Sequence, residues 1–288
     1  KGLPLLLVNA RLSERSERRV NKYCKAVSSI FQSFAGILDQ TEFDAQRYRQ
    51  LGVKNVEIVG NLKFDVPLDV NLVQQGKSWQ QELHRTQRLM VCAASTRDGE
   101  EAIILKAWKD LLLSNAFEVA PLLCLVPRHP ERFSEVANQI HDAGMQFRRR
   151  SEWNGIPQVS VDVEVILGDS MGEMPMYYSA ADLVVMGGSL LPFGGQNLIE
   201  ACAAGCPVLL GEHTYNFQQA ALDAIDSGAA KRIKGELLLT EPIALMESLK
   251  ELLLNTAELK RMSEAAKTYS VKHQGATNRI LAALDQAN

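Results

Sequence analysis

The sequence predicts a parallel α/β protein, with one full doubly wound domain preceded by part of another. Three observations carry this. Apolar runs of strand length alternate with helical stretches of about 10–15 residues, the pattern of βα units in a parallel sheet. The alternation is interrupted between residues 66 and 87, which are polar and weakly patterned. The chain has 288 residues, and at about 150 residues per domain that leaves room for two.

The elements follow in order. Leu3 to Val8 is an apolar run of strand length, and residues 13–36 read as an amphipathic helix. Gly36 to Asp39 is a brief strand. Thr41 to Gly52 is a helix, opened by the box Thr41-x-x-Asp44 and closed at Gly52. Val56 to Val59 is the next strand, ending at Gly60-Asn61. Two such units cannot cover a doubly wound sheet, so residues 1–65 read as the incomplete domain. Residues 66–87, with Pro67 and Gly76, read as a linker plus an entry helix.

A full alternation then begins. Leu89 to Ala94 is a strand, and Ser95-Thr96-Arg97-Asp98 caps a helix running to about Asn115. Pro121 to Val126 is a strand, Pro130 to Asp142 a helix stopped by Gly144, and Val161 to Leu167 a strand. Asp182 to Met186 and Pro207 to Leu210 are further strands. From about residue 241 the chain is helical to its end, with breaks near 255 and 274.

Composition narrows the function classes. Hydrophobic residues are 46% and charged residues 23%, which excludes disorder as a description of the chain. Lys plus Arg is 31 against 34 Asp plus Glu, a net charge of −3. That argues against a duplex-DNA binder working through bulk positive charge, and no nucleic-acid partner is expected. The five cysteines, Cys24, Cys92, Cys124, Cys202 and Cys206, are odd in number and mostly lie in apolar runs. They read as reduced, buried thiols of a cytosolic protein, with no partner pair that would suggest zinc. No stretch reaches the roughly 18 apolar residues of a membrane helix, and no signal peptide is visible. The opening Lys1-Gly2-Leu3-Pro4 runs straight into Leu5-Leu6-Leu7-Val8 without a Met, which reads as the middle of a longer protein.

In open α/β sheets ligands sit at the carboxyl ends of the strands, so the strand-end loops hold the candidates. Three successive ones concentrate glycine and charge: Pro127-Arg128-His129-Pro130-Glu131-Arg132, Gly168-Asp169-Ser170-Met171-Gly172-Glu173, and the segment from Gly187-Gly188 to Gly194-Gly195-Gln196-Asn197-Leu198-Ile199-Glu200. The last opens a helix expected over Asn197–Ala204 and ended by Gly205. A helix start offers free N–H groups to a phosphate. Glu200, three residues after Asn197, suits the two hydroxyls of a ribose. A capped turn without ligand is the bland alternative.

Arg128 suits an anion or a base edge, and a salt bridge with Glu131 or Glu173 is the alternative. Met171-Gly172-Glu173 is a tight turn whose backbone could read a base, or a plain turn before a helix. Lys63, after the last N-terminal strand, could neutralise a phosphate or carboxylate; the alternative is an exposed Lys beside Asp65. The basic run Arg11, Arg15, Arg18, Arg19, Lys22, Lys25 could touch anionic lipid or substrate phosphates, though such runs are more often solvated. Arg148-Arg149-Arg150 reads as solvated.

Taken together these motifs resemble a known family. Val8-Asn9-Ala10-Arg11-Leu12-Ser13, Gly60-Asn61-Leu62-Lys63-Phe64-Asp65, Val126 to Phe133, Gly168 to Glu173, Gly187-Gly188-Ser189-Leu190 and His213-Thr214-Tyr215-Asn216-Phe217 are similar to motifs of the 3-deoxy-D-manno-octulosonic acid (Kdo) transferases, in family order. The resemblance implies the GT-B fold, two Rossmann-like doubly wound domains, the N-terminal one incomplete in this chain. It implies transfer of Kdo from CMP-Kdo to the lipid A precursor, lipid IVA, with inversion and without a metal or other cofactor. The setting it implies is the cytoplasmic face of the bacterial inner membrane, with peripheral contact to the inner leaflet.

The same resemblance gives CMP contacts to Pro127, Arg128, Met171, Gly172, Glu173, Asn197, Leu198, Ile199 and Glu200, and transition-state stabilisation to Lys63. It implies residues 1–65 as the back of an acceptor-side domain, 66–87 as linker, 88–270 as the CMP-sugar domain, and 271–288 as a terminal helix packing back toward the first. The catalytic glutamate base and a hydrophobic anchor are expected in a preceding segment, so this chain alone is expected to be inactive. Three features depart from the family pattern. Arg97 stands where His is usual, Phe193 where Arg is usual, and Gln196-Asn197-Leu198 where His-Asn-Pro is usual. Loss of the Arg is expected to remove a cation near the donor. Two rivals are another GT-B enzyme that uses a UDP-sugar, and a non-catalytic nucleotide-binding module.

Overall fold

The computed structural model describes residues 4–12, 16–18, 20, 24–156, 159–233 and 242–287. It forms two compact units: Lys1–Pro67 with Ser270–Asn288, and Leu68–Tyr269.

The first unit holds a three-stranded parallel sheet in the order β1 (Leu6–Ala10), β2 (Gly36–Asp39), β3 (Val56–Ile58). The helix Cys24–Gln32 takes the later part of the expected 13–36 helix. The helix Glu42–Gln50 starts where the capping box predicts: Thr41 Oγ1 accepts the Asp44 N–H at 3.2 Å. Its Tyr48 and Leu51 pack with Ala10, Leu12, Ile37 and Val53. On the other face Leu38 and Val59 cover Ile280 of the terminal helix Ala276–Ala287. That helix is tied down by Asp65, whose two carboxylate oxygens accept the Gly275 and Thr277 N–H groups, each at 2.6 Å. These bonds hold the Asp65 carboxyl below its ordinary pKa, against the burial that would raise it.

The second unit holds a seven-stranded, wholly parallel sheet. Its strands are β4 (Met90–Thr96), β5 (Leu122–Pro127), β6 (Phe147–Arg149), β7 (Val165–Leu167), β8 (Leu183–Met186), β9 (Val208–Leu210) and β10 (Ala230–Arg232), ordered β10-β9-β8-β4-β5-β7-β6. From β4 the chain passes through β5 to the edge strand β6 and steps back to β7, which lies between them; it then crosses over and winds outward from β8 on the other side. The order reverses between β4 and β8, and there the crevice outside the strand ends receives ligands in such sheets. The central strands are buried on both faces, as the continuous apolar runs predict.

The edge strands β6 and β10 are absent from the sequence reading. They are three residues each and carry Arg148, Arg149, Lys231 and Arg232. Short, charged edges resist further pairing and so lack an apolar signature. The strand expected over Val161–Leu167 begins only at Val165, because Val163 N–H closes a turn on the Ser160 carbonyl at 3.1 Å.

Residues 66–87 hold a 16-residue helix, Val70–Arg85, capped by Asp69 and counted with the second unit. It packs on the helix Met174–Ala180 so closely that a Cβ at Gly76 would lie 2.2 Å from the Met176 carbonyl oxygen. Trp79 of the same helix is fully buried and donates from Nε1 to the Gly155 carbonyl at 2.9 Å. Cys92, Cys124, Cys202 and Cys206 are buried free thiols, as expected; the side chain of Cys24 lies outside the described residues. No helix among the described residues is long and apolar enough to cross a membrane.

Candidate functional site

The switch between β4 and β8 gathers the glycine-rich loop and the loop after β4. Gly187 N–H donates to the Ala94 carbonyl at 2.8 Å, and a Cβ at Gly187 would meet the Ser95 carbonyl oxygen at 2.3 Å. The contact therefore needs glycine. Glu100 holds the two loops together. One of its carboxylate oxygens accepts the Arg97 N–H at 2.9 Å and the Gly188 N–H at 2.6 Å; the other accepts Leu190 at 2.9 Å and Leu191 at 3.2 Å. Burial pushes the Glu100 carboxyl pKa up, while the four amides favour the charged form. The neighbouring Glu101 is buried too, accepting Thr96 Oγ1 and Arg132 Nη1, each at 2.7 Å. Neither glutamate figures in the sequence reading, because acids in the first turn of a helix are ordinary there without any further role. The residue pair Glu100-Glu101 behind a strand end was the available signal.

Farther along the loop, Tyr215 Oη donates to the Pro192 carbonyl at 2.6 Å and Asn216 Nδ2 to the Phe193 carbonyl at 3.0 Å. The motif His213–Phe217 thus pins the loop. A Cβ at Gly194 would collide with Asn216 and Tyr215 at 2.4 Å.

The helix expected over Asn197–Ala204 spans only Ile199–Ala203. Asn197 itself delays it: its Oδ1 accepts the Ile199 N–H at 3.2 Å and its Nδ2 donates to Glu200 Oε1 at 2.9 Å. So short a helix has little macrodipole, and any anion here would meet individual N–H groups. Leu198 and Ile199 are each 1% exposed. Their side chains face the core, which leaves only backbone for a ligand. Glu200 is half-buried and held by Asn197.

Pro127 ends β5, and Arg128 N–H donates to the Thr96 carbonyl at 3.0 Å, so the two strand-end loops are stitched together. The Arg128 side chain is exposed. Neither alternative salt bridge forms: Glu131 lies 3.8 Å from His129 Nδ1, and Glu173 pairs with Arg150.

The Met171–Glu173 turn precedes the helix Met174–Ala180, with Met171 exposed and Gly172 open to solvent at φ +81°. Glu173 is fixed by Arg150 Nη2 at 2.7 Å and by the Ser170 hydroxyl. Here the expectation of a solvated Arg148-Arg149-Arg150 fails. Arg150 is buried, donates to the Trp153 carbonyl, and lies 5.5 Å from the Trp79 ring centroid and 5.7 Å from that of Trp153. Arg149 reaches Asp169 at 3.4 Å, and Asp169 also accepts the Ser151 N–H and hydroxyl at 2.8 and 2.7 Å. Only Arg148 is exposed.

Lys63 lies in the first unit, on the 3₁₀ turn Leu62–Asp65, with its side chain at the surface and Asn61 Oδ1 accepting its N–H at 2.9 Å. Of the basic run from Arg11 to Lys25, Arg15, Arg19 and Lys22 lie outside the described residues, as does the side chain of Lys25. The described residues contain no cluster of three or more His, Cys, Asp or Glu side chains that could hold a metal ion. The expectation that Phe193 removes a cation meets a different arrangement: the Arg97 guanidinium lies 4.9 Å over the Phe193 ring.

Comparison with known proteins agrees with this architecture. Residues 1–66 match the family model "3-Deoxy-D-manno-octulosonic-acid transferase (kdotransferase)", and residues 123–269 match "Glycosyl transferases group 1". The chain belongs to the Kdo transferase family of glycosyl transferases. The Kdo transferase of Bordetella pertussis is 41% identical over 99% of this chain and 64% of its own length. That of Haemophilus influenzae is 35% identical over 98% of this chain and 64% of its own length. The chain thus spans just under two thirds of these curated relatives. Among solved structures, the C-terminal CMP-Kdo binding domain of WaaA from Acinetobacter baumannii is similar at 27% identity and a TM-score of 0.60, over 70% of this chain and 98% of that one. A UDP-GlcNAc 2-epimerase from Neisseria meningitidis covers 98% of this chain and 70% of its own, with TM-score 0.55 and 15% identity; it shows the shared GT-B type of fold and nothing of the ligand.

Proposed function

We propose that this chain carries the donor-binding part of an inverting Kdo transferase that uses CMP-Kdo and the lipid A precursor. The observation that carries the reading is the 41% identity to the Bordetella pertussis Kdo transferase along 99% of the chain. The strand-end geometry supports it. Arg128, the Met171–Glu173 turn and the Asn197–Glu200 segment all border the C-terminal end of one sheet, where a nucleotide binds in doubly wound folds.

In this reading Glu200, oriented by Asn197, accepts the ribose hydroxyls, and Arg128 meets the base edge or an anion. The backbone of Met171-Gly172 and Leu198-Ile199 reads the base and phosphate, since neither Leu198 nor Ile199 offers a side chain. Reaction is direct displacement at the anomeric carbon, with CMP leaving. Lys63 stabilises the leaving charge, and a carboxylate base deprotonates the acceptor hydroxyl. In this reading a glutamate outside these 288 residues is that base, so the chain alone binds donor nucleotide without transferring Kdo. The acceptor places the reaction at the cytoplasmic face of the inner membrane.

Calorimetric titration of the chain with CMP, UMP and ADP tests the donor. Selective CMP binding that Glu200→Ala removes is the expected result. Tighter UMP binding would replace CMP-Kdo with a UDP-sugar, and Kdo transfer by the 288-residue chain would refute the assignment of the base.

A further inference from the structure

Arg97 follows β4 at the switch between β4 and β8. Its guanidinium rests on the Phe193 ring at 4.9 Å and is partly buried. Neighbouring acids are occupied elsewhere. Glu100 spends its carboxylate on four backbone amides, and Asp98 lies 3.3 Å from Arg132 Nη2. Among the described residues the Arg97 guanidinium makes no ion pair. An arginine with five N–H donors and no anion, stacked on an aromatic face, is pre-organised for a phosphate or carboxylate.

Its position is fixed from three sides. Its own N–H is held by Glu100, and the preceding Thr96 carbonyl accepts the Arg128 N–H at 3.0 Å. Phe193, beneath it, lies four residues before Asn197 on the loop clamped by Glu100, Tyr215 and Asn216. Arg97 therefore stands between the Pro127-Arg128 segment and the Asn197–Glu200 segment, in the crevice where ligands enter such sheets.

We infer that Arg97 is the donor-anion ligand of this site, binding an acidic group of the nucleotide sugar, with Phe193 as its platform. This rests on the donor reading above. The acidic group is the nucleotide phosphate or the sugar carboxylate, and both chemistries suit a guanidinium fork.

The test titrates the wild-type chain and the Arg97→Ala, Arg97→Lys and Phe193→Ala variants with CMP, UMP and cytidine, and with Kdo in the presence of CMP. Tryptophan-fluorescence unfolding confirms that each variant folds. If the ligand is the phosphate, Arg97→Ala weakens CMP about 10- to 100-fold and leaves cytidine unchanged. Arg97→Lys then restores part of the loss, and Phe193→Ala weakens CMP less than Arg97→Ala does. If the ligand is the sugar carboxylate, CMP is unaffected and Kdo binding is lost. A variant that folds and changes neither overturns the proposal, as does an equal loss of cytidine and CMP. Arg97-dependent binding of UMP with no binding of CMP would sustain Arg97 and refute the CMP-Kdo reading. Binding of no nucleotide would refute both.

Discussion

Replacing Glu100 by Gln isolates what holds the glycine-rich loop. The carboxylate accepts four backbone N–H groups, two on each oxygen, at 2.6–3.2 Å. Glutamine keeps one acceptor oxygen and turns an NH₂ group toward the other two N–H donors. Two hydrogen bonds to a charged acceptor are lost, and three donors are left facing one another. At about 1.5–3 kcal/mol per bond to a charged group, the second unit should lose about 3–6 kcal/mol. Typical domain stabilities are about 5–15 kcal/mol, so the loss is readily measured. Urea unfolding followed by tryptophan fluorescence reads it cleanly, because Trp79, Trp108 and Trp153 all lie within Leu68–Tyr269. CMP affinity should fall with it, since the same amides shape the loop before Asn197. A loss under about 1 kcal/mol would refute the reasoning. It would mean that burial has won and the carboxyl carries a proton, so that glutamine merely copies it.

Other perturbations probe separate supports. Arg150→Leu strips Glu173 of its partner in a pair whose side chains are 8% and 19% exposed; about 3 kcal/mol should be lost from the tryptophan-monitored transition, and CMP should bind more weakly. Arg150→Lys should recover little, because an ammonium cannot hold both Glu173 and the Trp153 carbonyl while stacking on two indoles. Asp39, fully buried in the first unit, has its carboxyl lifted from 3.8 to about 7, chiefly by burial. The unfolded chain then gives up its proton near pH 4 and the folded one near pH 7, so stability contributed by Asp39 is full below pH 4 and falls as pH rises between the two. The fall is about 4 kcal/mol at most. Urea transitions of the first unit by far-ultraviolet circular dichroism should show it, and Asp39→Asn should flatten it. Asp65→Ala should free the Gly275 and Thr277 amides at a cost of about 1–2 kcal/mol, read as faster hydrogen exchange in Ala276–Ala287 with Leu68–Tyr269 unchanged.

The local chemistry of the chain was written in its sequence. Apolar runs such as Leu122–Val126 can only be buried, so β4, β5 and β8 were legible from hydrophobicity alone. The box Thr41-x-x-Asp44 set a helix start because its hydrogen bonds close within one turn. The three strand-end loops were legible for a similar reason, since glycine and charge concentrated after a strand serve neither core nor helix. Tertiary structure decided what lies far apart along the chain. Glu100 and Gly188 are 88 residues apart, and Arg150 and Glu173 are 23 apart on different strand-end loops. No local pattern distinguishes such charges from solvated ones. The pairing of β4 with β8 depends on where the chain crosses back over the sheet. That crossing sets the switch, buries Leu198 and Ile199 so that only their backbone faces a ligand, and lays Arg97 on Phe193.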